Sequence, residues 1–238
     1  MNQVTDQQII EILRKEAVPA LGCTEPVACA LACAKCKEVL GGVPERLDVL
    51  VSGNIYKNGM GVGIPGTGMV GLPIAAALGA VCGKSEYGLE VLKEVNVGDN
   101  LQRAKDMLGQ VTVSLKEDAP DKLYAEALAT KGNDTVKVII AHTHTNIVLV
   151  EKNGEEIFKR EFRLDTSKPE DKGPELSVKR IWDFVHEVDV KDIEFVLQGA
   201  EMNKAISAEG LNSEYGLQIG KTLKENIDKG LLEDDLLN

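Results

Sequence analysis

Apolar residues recur along this chain at different spacings, and each spacing predicts a different kind of element. Ile9, Ile10, Leu13 and Ala17 follow a capping-box pattern of Thr5 with Gln8, so an amphipathic helix runs up to Pro19. Thr24 is a good N-cap residue and Glu25 and Pro26 suit a first turn. Val27 to Leu40 then reads as a second helix, stopped by Gly41-Gly42. Leu47, Val49 and Val51 alternate within Arg46 to Ser52, as expected of a short strand with one buried face. The polar, glycine-rich stretch from Gly53 to Gly68 predicts a long loop, and an apolar helix follows from about Val70.

After a further helix from Asp99 to Leu108 the period changes to two. Val111 to Leu115, Leu123 to Thr130, Val136 to His142, Asn146 to Glu151 and Glu155 to Arg160 predict strands. Asn133-Asp134 and Asn153-Gly154 mark turns, so these strands read as an antiparallel meander. Leu164 to Pro174 is polar with two prolines and reads as a surface linker. Glu175 to Glu187, Asp192 to Ser207 and Tyr215 to Lys229 follow as three helices, and no internal repeat is present. Without regular β-α-β alternation, the order indicates an α+β fold. The expectation is a single domain over 1–238, layered as a Cys- and Gly-rich helical region (1–98), a β meander (99–163) and a helical layer (174–238).

Composition narrows the function classes. The 238 residues carry 27 Lys plus Arg against 38 Asp plus Glu, a formal charge of -11 that opposes attraction to nucleic acid or anionic lipid. The first residues lack the basic start and apolar core of a signal peptide. The longest apolar run, Met69 to Cys82, is too short to span a bilayer. Of the five cysteines, four are packed between Cys23 and Cys36, unlike a secreted disulfide framework, which points to a reducing cytoplasm.

Candidate chemistry begins at Cys23, just outside the second helix. The free N–H groups and aligned peptide dipoles there favour thiolate, the form that attacks an electrophile or binds a metal. The alternative is an inert cysteine packed beneath the helix start. Cys29, Cys33 and Cys36 reproduce a C-x3-C-x2-C spacing seen in iron–sulfur radical enzymes, but at i, i+4 and i+7 they form a packing stripe inside the helix. Gly61 to Gly66 matches G-x-G-x-x-G without the strand and helix that a dinucleotide fingerprint needs. Closely spaced glycines still let a small anion, such as an amino-acid carboxylate, approach the backbone. Asn54, Lys57, Asn58 and Thr67 add polar donors, and a merely mobile loop is the competing reading. His142 and His144 would share one face of a strand, a metal pair with no third ligand at an evident spacing. His186, near Trp182 on a helix, reads as a packing or surface residue.

Four segments carry a resemblance: Pro19-Ala20-Leu21-Gly22-Cys23-Thr24-Glu25-Pro26; Ser52 to Met60 with Gly63 to Gly68; His144-Thr145-Asn146; and Glu209-Gly210-Leu211 with Tyr215-Gly216-Leu217. Through them the chain resembles, over nearly its whole length, the amino-acid lyases that include the α-subunit-like serine dehydratases and, more closely, the L-cysteine desulfidases. The resemblance implies an oxygen-sensitive [4Fe–4S] cluster and β-elimination from L-cysteine, giving pyruvate, ammonia and sulfide, or from L-serine. It implies Cys23 as a cluster ligand and Lys57 as the cation or base. Thr24, Glu25, Asn54, Asn58, Gly66, Thr67 and Gly68 would bind the amino-acid substrate. The family's other cluster cysteines lie in a further C-terminal portion that is missing here. The expectation is therefore the N-terminal part of a longer enzyme, truncated or split, which docks that portion and forms a homodimer. The competing class is a non-catalytic domain for amino-acid binding or assembly.

Overall fold

The computed structural model describes residues 4–160, 176–214 and 217–235. They form an α+β fold with a mixed sheet. By contacts the chain divides into two compact units, Pro19–Glu170 and a second made of Met1–Val18 with Asp171–Asn238. The larger unit therefore takes in both of the first two expected layers, while the first helix joins the C-terminal helices.

In the larger unit, helix α2 (Thr24–Leu40) is buried on all sides over Pro26–Ala34, with Ala and Cys at most positions. It packs against α4 (Leu72–Val81) on one side and the sheet on the other. Small residues set this arrangement. A Cβ on Gly79 of α4 would lie 2.1 Å from the Ala30 carbonyl oxygen, so the two helices touch backbone to backbone there. Cys29, Cys33 and Cys36 are buried in α2, as the packing stripe predicts. Cys36 Sγ lies 3.5 Å from the Ala127 carbonyl and 3.6 Å from that of Val136.

The sheet contains β1 (Arg46–Val51), β4 (Val111–Leu115), β5 (Tyr124–Lys131), β6 (Asp134–Ala141), β7 (Ile147–Lys152) and β8 (Glu155–Lys159), in the order β4-β1-β5-β6-β7-β8. Only β5 to β8 form the expected meander. β4 instead lies on the outer edge, parallel to β1, and β1 pairs antiparallel with β5. Leu47, Val49 and Val51 face Ala125, Ala127 and Ala129 across that pair and join them in the core. The open face carries cross-strand ion pairs such as Lys137 with Glu151 at 2.7 Å.

The expected loop from Gly53 to Gly68 is replaced by structure. Helix α3 (Gly53–Gly59) starts at Ser52, whose hydroxyl accepts from the Ile55 N–H and donates to the Lys122 carbonyl. A small hairpin of β2 (Gly63–Ile64) and β3 (Met69–Val70) follows. The helix expected around 99–108 is α5 (Asn100–Asp106).

In the smaller unit, α1 (Asp6–Glu16) has the expected capping box. Val4, Ile9 and Ile10 pack on Phe184 of α6 (Val178–Glu187), and Arg180 reaches the Val4 carbonyl and the Asp6 carboxylate. The helix expected over 192–207 is two: a single turn, α7 (Val190–Ile193), and α8 (Val196–Asn212). The last, α9, covers Ile219–Asp228. The expected linker from Leu164 to Pro174 lies outside the described residues, as do Tyr215 and Gly216.

Candidate functional site

The site is built on the turn that enters α2. Cys23, not Thr24, is the N-cap, and its backbone is extended while Thr24 is already helical. Gly22 before it has φ 82°, and a Cβ there would meet the Pro65 ring at 3.0 Å, so the turn sits directly against the β2–β3 hairpin. The Cys23 side chain makes no capping bond; its Sγ donates to Glu25 Oε2 at 2.8 Å. From α3, Asn58 Nδ2 donates to the other carboxylate oxygen at 3.0 Å. A third segment, the turn after β6, brings half-buried His144 within reach of the Glu25 charge.

These contacts reverse the expectation of an activated thiolate. Burial pushes the Cys23 thiol up, and the hydrogen bond to Glu25 and its negative charge push the same way. Backbone N–H groups at the helix start pull it down but are outweighed. Glu25 moves oppositely. The Cys23 hydrogen bond holds its carboxyl below the usual range, burial opposes, and Asn58 and His144 add to the lowering. Burial lowers His144 and Glu25 only partly offsets it, so this imidazole is neutral at pH 7. The constellation thus combines a protonated thiol, an ionised carboxylate, an amide and a neutral imidazole.

His142 and His144 do not form the metal pair. β6 ends at Ala141, and His142 has φ 69°, so the two histidines lie on a turn. His142 Nδ1 is 2.7 Å from Asp121 Oδ2, while His144 interacts with Glu25. Asn54 lies on α3 with Lys57 and Asn58, all three exposed. It opens on a different cleft of about 320 Å³, lined also by Lys116, Asp121 and Lys122. Thr67 is buried, its hydroxyl donating to the Ile64 carbonyl at 2.7 Å and accepting from the Met69 N–H. With Gly66 and Gly68 it forms the turn between β2 and β3, and Gly66 sits against Asn96. Of the expected site residues, the cluster-ligand candidate Cys23 and the binding candidates Glu25 and Asn58 converge; Thr24 stands beside them in the first turn. His144, the fourth member, was legible in the sequence only as half of a His pair and as part of a short motif, not as a neighbour of Glu25.

A cluster held by three cysteines does not fit the described thiols. Cys29, Cys33, Cys36 and Cys82 are buried, and burial pushes Cys29 to about 12. No group of three or more His, Cys, Asp or Glu among the described residues could hold a metal. Cys23 is the one partly exposed thiol, so other ligands would have to come from outside this chain. Among the described residues no helix is long and apolar enough to cross a membrane.

No family model matches the chain, and no solved structure matches it. A UPF0597 protein of Dichelobacter nodosus is 46% identical over 238 residues, 99% of this chain and 55% of the relative. UPF0597 proteins of Actinobacillus pleuropneumoniae serotype 3 (46% over 235 residues; 98% and 54%) and Parabacteroides distasonis (44% over 240; 98% and 55%) are also similar. The chain is thus similar along nearly its whole length to these UPF0597 proteins and spans about half of theirs.

Proposed function

We propose that this chain supplies the amino-acid-binding part of a cytoplasmic, iron–sulfur-dependent lyase that eliminates sulfide from L-cysteine or water from L-serine. The observation that carries the reading is the meeting of Cys23, Glu25 and Asn58 in one hydrogen-bonded set, whose Glu25 charge also acts on His144. Glu25, ionised, accepts the substrate ammonium, and Asn58 fixes its carboxylate. Lys57, exposed on the same helix as Asn58, takes the substrate carboxylate as a cation. Neutral His144 takes the α-proton; the C–H electron pair forms the Cα=Cβ bond, the Cβ–S or Cβ–O pair departs with the leaving group, and the proton held on His144 passes to that group to give hydrogen sulfide or water. The aminoacrylate product hydrolyses to pyruvate and ammonia.

The test replaces the matched half of the Dichelobacter nodosus relative with this chain, reconstitutes the chimera anaerobically with iron and sulfide, and follows visible absorption and sulfide release from L-cysteine. Cys23→Ser should abolish both. His144→Asn should keep the absorption and lose at least a hundredfold in turnover, the range of general-base catalysis. Sulfide release unaffected by Cys23→Ser, or dependent on pyridoxal phosphate, would overturn the reading.

A further inference from the structure

Among the described residues, the smaller unit carries a helix that is exposed along its whole length and meets α9 in a few places. Every residue of α8 is exposed, including Val196, Leu197 and Ile206, the last at 71%. A helix of this length is marginal in water without a packed face, and Gly199 and Gly210 inside it weaken it further. In the same unit, Val178, Ile181, Trp182 and Val185 of α6 stand at i, i+3, i+4 and i+7. They form an apolar stripe exposed by 86%, 45%, 64% and 56%, beside the Phe184 side that is buried.

We infer that α6 and α8 form a docking face for the part of a UPF0597-length polypeptide that this chain does not match. The relatives carry nearly as much chain again, so a neighbour tethered to this unit would be present at high effective concentration. A second copy is the poorer occupant, because the net charge of -11 makes copies repel. The inference rests on the length of the relatives and not on the lyase chemistry.

Trp182 is the single tryptophan of the chain and lies in the stripe, so its emission reads the face directly. Iodide quenching of Trp182 should be compared between the isolated 238-residue chain and the Dichelobacter chimera, with the chimera carrying Trp182→Phe subtracted as background. Amide exchange of α8 is measured on both. Docking predicts a fall in the quenching constant of at least threefold and a slowing of α8 exchange of at least tenfold. Ile181→Lys with Val185→Lys should reverse both. Values in the chimera equal to those of the isolated chain would overturn the inference. Protection that already grows with concentration of the isolated chain, or that needs anionic vesicles, would overturn it in favour of a second copy or a membrane. Neither readout depends on sulfide release, so each proposal can fail alone.

Discussion

At Cys23 burial and the neighbouring Glu25 together outweigh the pull of the helix start. The helix start stabilises a thiolate by its dipole, but Glu25 accepts the thiol proton at 2.8 Å and sets a negative charge beside any thiolate that forms. Glu25→Gln removes that charge while leaving an amide oxygen. The thiol should then ionise more readily, and iodoacetamide should label Cys23 roughly three- to tenfold faster at pH 7, a change of about half to one pKa unit. Mass spectrometry of the labelled peptide reads the rate, and an unchanged rate would show that burial alone holds the proton. Cys29, Cys33 and Cys36 should stay unlabelled in both proteins, as their burial requires. Much of this site was legible because Gly22, Cys23, Thr24, Glu25 and Pro26 are contiguous. The approach of His144 to Glu25 was not, since it is set by where the β6–β7 turn lands and no local periodicity encodes that.

Among the elements, α2 governs the larger unit through close approach and through its last turn. Gly79→Ala places a methyl against the Ala30 carbonyl. It should cost about 3 kcal/mol in urea unfolding, more than the roughly 1 kcal/mol alanine gains in helix propensity. Gly109→Ala, with open space around it, should stay within about 0.5 kcal/mol. A similar cost at both positions would remove the close-approach argument. At the far end of α2, Glu38 accepts from the Ser85 N–H at 2.7 Å and the Ser85 hydroxyl at 2.6 Å, and pairs with Lys35. Burial pushes Glu38 up, but these donors outweigh it and hold its carboxyl below the ordinary 4.5. Its contribution is therefore present above pH 4.5 and lost as the pH falls below that, through the folded value. Glu38→Gln should cost about 1 kcal/mol at pH 7, the size of a partly exposed charged hydrogen bond, with the gap closing below pH 4.5. A gap that does not change with pH would assign the cost to shape alone. The long helices and the β5–β8 meander could be read from periodicity. Helix α3 could not, because Asn54, Asn58 and two glycines are poor helix formers and seven residues hold too little period. The parallel β1–β4 pair was equally hidden, since strand order depends on contacts across some sixty intervening residues.

For the whole molecule, two units with separate cores imply two stabilities. The larger has one extensive buried cluster, while the smaller rests on Val4, Ile9, Ile10 and Phe184 and their neighbours. Urea unfolding followed by Trp182 emission should reach its midpoint earlier than unfolding followed by far-ultraviolet dichroism, because the tryptophan reports the weaker unit. Coincident midpoints would mean the units unfold together. No sequence pattern announced this division, since Ile9 and its partner Phe184 are separated by the whole larger unit.

That pairing of distant segments has a consequence in time. A ribosome releases α1 well before Phe184, which emerges only after the whole larger unit has been made. At about 5–20 residues per second the wait is on the order of ten to thirty seconds. Throughout it Ile9 and Ile10 lack Phe184 to bury against, so the nascent chain offers chaperones an amphipathic helix while the sheet behind it folds.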